Sequence, residues 1–321
     1  MRISLDQAIA KLKSGEVVAI PTETVYGLAA DATNEVALRQ IYAIKQRPAD
    51  NPLIVHISSA NQVSDWAADF PSLAKKLANA FWPGPFTLVL PAKDSVCSIV
   101  RAGEPTVALR VPSHPLALKL LKQSGLALAA PSANKYTQLS PTTATHVEAG
   151  LGKDLPVLDG GACQVGIEST IVSVVGDNWQ LLRHGMIAEA EILAIAGKLP
   201  LAGSVNQVKA PGQHLLHYSP KTPIKLFNSL EALTCYQQNS LQTCAVLLMD
   251  DAQQNNQLSG EQLVIEIVQL PKNPVIVAEQ LYGVLHRLDT LNVAQLLVQS
   301  PPETPEWLAI SDRLTRAAHQ P

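Results

Sequence analysis

Short runs of consecutive apolar residues recur along this chain, each the length of a strand and most separated from the next by a helically spaced stretch. Val17–Ile20, Leu53–Ile57, Phe86–Leu90, Thr106–Val111, Leu126–Ala130 and Thr170–Val175 read as buried strands. Leu5, Ile9 and Leu12 have helical spacing and Gly15 marks that helix's end. Thr33-Asn34 caps a second helix with apolar positions Leu38, Ile41 and Tyr42. Further helices are expected over 60–68, 73–81 and 115–123, and near Thr142 and Ala188. Strands at Thr170–Val175 and Trp179–Leu182 bracket a turn at Gly176-Asp177 and form a hairpin. Such alternation predicts an α/β domain, and the hairpin makes its sheet mixed rather than purely parallel.

The character of the chain changes between Leu199 and Lys221. Gly203, Pro211, Gly212 and Pro220 with polar filler read as a linker. Within it Gln213–Pro220 is too aromatic and apolar for a mere tether. Beyond it, strands are expected at Ile224–Phe227, Cys244–Leu248, Leu263–Ile267 and Ala294–Val298. Helices are expected at Val277–Leu291 and Pro305–Ala318. The chain is thus read as three parts: residues 1–198, a linker over 199–222, and a smaller Rossmann-like α/β domain over 223–321.

Charge narrows the function classes. The net charge of −3 argues against a protein whose main business is coating nucleic acid. From Pro223 onward there are 5 Lys and Arg against 10 Asp and Glu, so the preceding residues carry a small positive excess. An anionic ligand is therefore expected in the N-terminal part. Cys97, Cys163, Cys235 and Cys244 form no Cys-x-x-Cys pair and read as reduced thiols of a cytoplasmic protein. The N-terminus carries Asp6 and Lys11 where a signal peptide needs an apolar run. No apolar stretch approaches the roughly 18–20 residues that span a bilayer, so no membrane partner is expected.

The chemistry-bearing residues begin at Lys45 and Arg47, two cations where Pro48 stops the second helix. Arg offers a planar fork and Lys a mobile point charge, a pair suited to polyphosphate. Taken alone, they read rather as cations that complement the negative end of the helix dipole. His56 ends the apolar run that follows; alone, it reads as a half-buried histidine with its bonds satisfied. Arg110 lies inside an apolar strand and must be paired, either with an internal carboxylate or with a ligand carboxylate. Pro131-Ser132-Ala133-Asn134 and Ser140-Pro141-Thr142-Thr143 gather hydroxyls and an amide after a strand. Ser140 or Thr142 is also a good helix N-cap. There is no P-loop, no dinucleotide fingerprint, no Ser-His-Asp signature and no clustered metal-ligand spacing. The constellation is one that binds and polarises rather than one that attacks.

In this order the pieces resemble the YrdC-like family of L-threonylcarbamoyladenylate synthases. The matching segments are Pro21–Leu28, Lys45–Pro48, Asn51-Pro52-Leu53 with His56, Leu109–Pro112, Ser132-Ala133-Asn134 and Glu168–Ile171. His217–Pro220, Thr304–Trp307 and Asp312-Arg313-Leu314 resemble the long form with an additional C-terminal domain. The resemblance implies a YrdC-like twisted mixed-sheet domain that joins L-threonine, bicarbonate and ATP into threonylcarbamoyl-AMP and releases pyrophosphate. The product feeds t6A modification of tRNA through a downstream threonylcarbamoyl-transferase complex, an indirect partner.

Carried over residue by residue, the resemblance implies that Lys45, Arg47 and Asn51 hold the ATP phosphates. Lys45 and Arg47 would also stabilise charge on the leaving group. Thr106, Ala130 through its backbone, Ser140, Arg183 and Tyr218 would complete the nucleotide site, and Tyr218 would close over it from the linker. Thr24, His56, Arg110, Ser132 and Ser169 would hold threonine. Mg²⁺ is expected to arrive with ATP, with no protein ligands assigned. The alternative reading is a non-enzymatic module that binds double-stranded RNA.

Overall fold

The computed structural model describes residues 1–200, 218–249 and 263–319, so the linker segment Gln213–His217 and the polar loop at 250–257 lie outside the described residues. The described residues fall into two compact units, 1–136 with 140–200, and 137–139 with 218–249 and 263–319.

In the first unit the chain runs β1 (Arg2–Ile3), α1 (Leu5–Lys13), β2 (Val18–Ile20), β3 (Gly27–Asp31), α2 (Glu35–Lys45), β4 (Ile54–His56), α3 (Val63–Trp66), α4 (Ser72–Phe81) and β5 (Phe86–Pro91). It continues through α5 (Ser98–Arg101), β6 (Thr106–Arg110), α6 (Pro115–Ser124), β7 (Leu128–Ala129), α7 (Ala144–Leu151), β8 (Val157–Leu158), β9 (Thr170–Val175), β10 (Asn178–Arg183) and α8 (Glu189–Ala196). Ten strands make one mixed sheet in the order β1-β8-β2-β3-β7-β4-β6-β5-β9-β10.

The two faces of this sheet differ, and the difference creates the site. Val55, Leu88, Leu90, Val107, Leu109, Ala129, Val172 and Val174 belong to the main core, which α2 and α4 cover with Leu38, Ile41, Leu73 and Leu77. On the opposite face α1 and α6 pack Ala8, Leu12, Leu120 and Leu121 against Val18, Ile20, Ala29 and Leu128. Over β4, β6, β5 and β9 that face keeps only a small cluster of Ile54, Ala108, Val89 and Ile171. Strand periodicity places Thr87, Thr106, Arg110 and His56 on the same face as these four. Polar side chains thus stand on a rigid floor.

The second unit contains β11 (Ile224–Phe227), α9 (Leu230–Asn239), β12 (Cys244–Met249), β13 (Val264–Leu270), α10 (Pro274–Asp289), β14 (Gln295–Gln299) and α11 (Leu308–Ala318). Its four strands are all parallel in the order β11-β14-β12-β13. Parallel strands with helical crossovers are what the Rossmann-like expectation requires.

Some local expectations need correction. Helix α2 stops before Pro48, because Gln46 turns into the left-handed region at φ 53°. Arg47 precedes a proline and is steered away from helical backbone, so the helix ends earlier. The helix expected near Thr142 takes Thr143 as its N-cap, not Ser140 or Thr142. Ser140 is committed to Glu168, and Thr142 lies 3.3 Å from His146 Nδ1. Strands β1, β3 and β8 and helices α5 and α9 were not expected; β3, Gly-Leu-Ala-Ala-Asp, has almost no strand propensity and is made by its pairing with β2 and β7.

Candidate active site

The left-handed turn at Gln46 sends the two cations in different directions. Lys45 is fully buried, and its ammonium donates to the backbone carbonyls of Ser132 and Asn134, the latter at 2.7 Å. Tyr136 N–H returns a bond to the Lys45 carbonyl at 2.8 Å. Lys45 therefore clamps the Ser132–Asn134 loop onto the end of α2. Burial, and then the charge of Arg47, lowers its pKa well below the ordinary lysine value. Arg47 donates to the Pro52 carbonyl at 3.2 Å and stacks over the Tyr136 ring at 5.9 Å. Asn51 is half-buried, and its side-chain amide reaches Asp50 at 3.3 Å.

Strand β4 carries the site from these cations to its other half. His56 lies in register with Arg110 on β6, and Ile54 with Ala108. Arg110 donates from Nε to the Gly84 carbonyl at 3.2 Å and from Nη1 to Thr24 Oγ1 at 2.9 Å. Its Nη2 stands 2.7 Å from Glu23 Oε1, with both side chains almost wholly buried. The internal carboxylate left open by the sequence is Glu23. Burial works to raise the Glu23 carboxyl, but the Arg110 guanidinium overrides it and holds the pKa below the usual value. His56 is pushed down to about 3, first by burial and then by the Arg110 charge, so the imidazole is neutral.

Thr24 is fixed in polarity as well as place. Thr22 Oγ1 gives its one hydroxyl hydrogen to the Val25 carbonyl at 2.6 Å, so Thr24 is the donor in the 2.8 Å contact between the two hydroxyls. Since it also accepts from Arg110, Thr24 is left as an acceptor.

At β9 the Arg183 guanidinium donates to the Ser169 carbonyl from Nε and Nη2 at 3.1 and 3.0 Å, and to Ser169 Oγ at 3.2 Å. Ser169 Oγ also meets Thr87 Oγ1 at 2.7 Å. Gly185 permits this approach: a Cβ there would collide with the Thr170 backbone nitrogen and lie 2.7 Å from the Ser169 carbonyl carbon. Ser140 donates to Glu168 Oε1 at 2.6 Å. Thr106 opens β6, and the Ala130 N–H is used on the Ile54 carbonyl at 3.1 Å. In the second unit Tyr218 is buried, 6.0 Å from the Tyr282 ring, with the Arg313 guanidinium 5.2 Å from its own ring.

The structure thus brings together Thr24 with Arg110, Arg110 with His56, Ser169 with Arg183, and Lys45 with Ser132. It adds Glu23, Thr87, Glu168 and Tyr136, to which the sequence reading gave no role. Glu23 lies between Thr22 and Thr24, and Glu168 precedes Ser169 and Thr170, so neither stands out in the sequence as an acid in an apolar run. Thr87, inside an ordinary strand, gave no signal either.

A family model for Sua5, YciO and YrdC proteins, described as "Telomere recombination", matches residues 10–185. A second, described as "Threonylcarbamoyl-AMP synthase, C-terminal domain", matches residues 183–319. The threonylcarbamoyl-AMP synthase of Bacillus subtilis is 39% identical over 327 residues, covering 97% of this chain and 92% of that protein. That of Pyrococcus abyssi is 36% identical over 314 residues, covering 96% and 92%. The crystal structure of P. abyssi Sua5 complexed with L-threonine superposes with a TM-score of 0.87 at 34% identity, covering 99% of this chain and 96% of that one. No helix among the described residues is long and apolar enough to cross a membrane. With both domains matched and such relatives covered nearly end to end, the chain belongs to the threonylcarbamoyl-AMP synthase family, in the form that carries the C-terminal domain.

Proposed function

We propose that this protein makes L-threonylcarbamoyl-AMP from L-threonine, bicarbonate and ATP, releasing pyrophosphate, for t6A modification of tRNA. The observation that carries this reading is β4. Arg47 is held at its approach by the Pro52 carbonyl, and His56 at its end lies beside Arg110. One short strand therefore joins a cationic end suited to phosphate with a desolvated arginine suited to an amino-acid carboxylate.

The chemistry fits groups that align rather than attack. The threonine amine attacks the carbon of bicarbonate and water leaves, giving a carbamate; a carbamate oxygen then attacks the α-phosphorus and pyrophosphate leaves. Alignment of two anions and neutralisation of the leaving group are the main requirements. Lys45 and Arg47 serve the phosphates with Asn51. An anion beside Lys45 would oppose the burial and the Arg47 charge that lower its pKa, so nucleotide and ammonium would stabilise each other. The Ala130 N–H is spent on the sheet, so its part in nucleotide binding falls to its carbonyl. Thr106, Ser140 and Arg183 complete that side. Thr24, His56, Arg110, Ser132 and Ser169 hold threonine. Neutral His56 orients and does not store a proton at physiological pH.

Mg²⁺ would come as part of the ATP substrate, and no step above relies on it. Tyr218 is assigned to the nucleotide by the resemblance alone. Tyr218→Ala then raises hydrolytic loss of the adenylate; an unchanged product yield removes Tyr218 from the site.

The test of the whole reading is pyrophosphate release from ATP in bicarbonate buffer without RNA. Release should depend on L-threonine and fall steeply in Arg110→Ala. Absence of threonine stimulation in the wild type overturns the reading. No observation favours the duplex-RNA-binding module.

A further inference from the structure

Four buried polar atoms around Arg110 lack a well-aligned hydrogen-bond partner: both carboxylate oxygens of Glu23, Arg110 Nη2 and His56 Nδ1. The 2.7 Å approach of Nη2 to Glu23 is an ionic contact whose angles miss a hydrogen bond. Backbone groups of Ser113 and of Glu23 itself act on the carboxylate together with Arg110, and those of Ile54 and Leu128 act on His56, yet none of these contacts has the geometry of an aligned hydrogen bond at the four atoms. A buried ion pair kept for stability needs its remaining donors and acceptors satisfied, because each orphan costs about 1–3 kcal/mol. Orphans gathered at one spot mark a place completed by something else.

We propose that Glu23 is a positioning and charge-balancing residue that makes the Arg110 pocket select a zwitterionic amino acid over simple anions. This rests on the function proposed above and adds a specificity element to it. An unpaired buried guanidinium would attract any small anion, and this reaction surrounds it with them: bicarbonate, ATP and pyrophosphate. With Glu23 against one end and Thr24 against the other, Arg110 forms part of a neutral pair with fixed orientation. A neutral pair has little net attraction for a monoanion but is complementary to a ligand carrying a carboxylate and an ammonium. Thr24, left as an acceptor, favours the same choice.

The experiment compares L-threonine with 3-hydroxybutanoate, which keeps the carboxylate, hydroxyl and methyl but lacks the amine. Wild type, Glu23→Gln and Glu23→Asp are assayed for pyrophosphate release with 3-hydroxybutanoate as inhibitor. In Glu23→Gln the KM for threonine should rise about tenfold and the inhibition constant of 3-hydroxybutanoate should fall about tenfold, a change of about one charge-pair interaction at each ligand. The KM for ATP should stay within about twofold and kcat should change less than KM. Glu23→Asp, which retains the charge, should recover most of the discrimination.

A Glu23→Gln enzyme with the wild-type ratio of threonine to 3-hydroxybutanoate overturns the proposal. So does a Glu23→Asp enzyme no better than Glu23→Gln. If Glu23→Gln does not fold, calorimetry on the wild type decides, and equal affinity for the two ligands overturns the proposal. Calorimetry also separates the two readings: a wild type without threonine-dependent turnover sinks the proposed reaction, while its ligand preference still tests Glu23.

Discussion

The hydroxyl of Ser140 donates to Oε1 of Glu168 at 2.6 Å, and both residues are buried. The carboxylate takes the only hydroxyl hydrogen, so in the proposed nucleotide site Ser140 would act as an acceptor, suited to a ribose hydroxyl or a base amino group rather than a phosphate oxygen. Glu168→Ala should cost about 1–3 kcal/mol in urea denaturation, the range for losing a charge-assisted buried bond. It should raise the KM for ATP more than that for threonine. A variant with an unaltered ATP KM removes Glu168 from the nucleotide side.

Lys45 clamps a loop, and the proposed reaction gives it a second job on the phosphates; two measurements on Lys45→Met tell these apart. The substitution leaves the carbonyls of Ser132 and Asn134 without their ammonium, so amide exchange should quicken in the Ser132–Asn134 loop. Pyrophosphate release should fall about 10²–10³-fold, the usual loss when a preorganised group facing developing charge is removed. Activity within about tenfold of wild type would make Lys45 a loop clamp only.

The folded pKa of His56, pushed down to about 3, lies below the ordinary histidine value near 6.5. The unfolded chain therefore binds a proton that the folded chain refuses between these two values. Stability from this group is full above about pH 6.5 and is lost as the pH falls toward the folded value. Relative to pH 8, the loss from this one group should reach about 2 kcal/mol at pH 5. His56→Gln should flatten that part of the profile, and parallel profiles for the two proteins would disprove the assignment.

Gly185→Ala puts a methyl group into the Ser169–Thr170 backbone, which cannot give way as a flexible side chain would. A cost of about 1–3 kcal/mol is expected from overpacking. Because Arg183 grips Ser169 two residues before Gly185, the KM for threonine should rise alongside the fall in Tm. A substitution that lowers Tm and leaves that KM untouched would show that the two strands move without the site.

Much of the fold was legible because its central strands are continuous apolar runs. Thr170–Val175 has the bounds read from the sequence, since branched apolar residues between turn signals leave little choice, and the edge strand Ile224–Phe227 also has the bounds read despite Lys225. Strands β1, β3 and β8 were not legible. Arg2–Ile3 and Val157–Leu158 are two-residue strands made by a pairing distant in sequence, and Gly27–Asp31 is held between the nearby β2 and the distant β7 rather than by its own propensity. The cations and hydroxyls of the site could be picked out as residue types, but Lys45 reads as a helix-end charge until Ser132 and Asn134 are seen beside it. The partner of Arg110 was likewise undecidable, because Glu23 reaches it across the sheet from a loop far upstream.

The pairing of β1 with β8, Arg2 against Val157, sets an order of assembly. During synthesis β1 must wait for β8, which follows far later in the chain, and β2 on the other side of β8 waits for it as well. The parallel pairing of β5 with β9 imposes a similar delay, Phe86 waiting for Thr170. Closing such long-range pairs is slow compared with local helix formation. During synthesis α1 and α2 can form early, whereas Ser169 and Arg183 join Thr87 and the rest of the pocket only once β9 and β10 have emerged. Nascent chains stopped before Thr170 should therefore be protease-sensitive and unable to retain threonine, and both properties should change together when the chain is extended beyond Arg183.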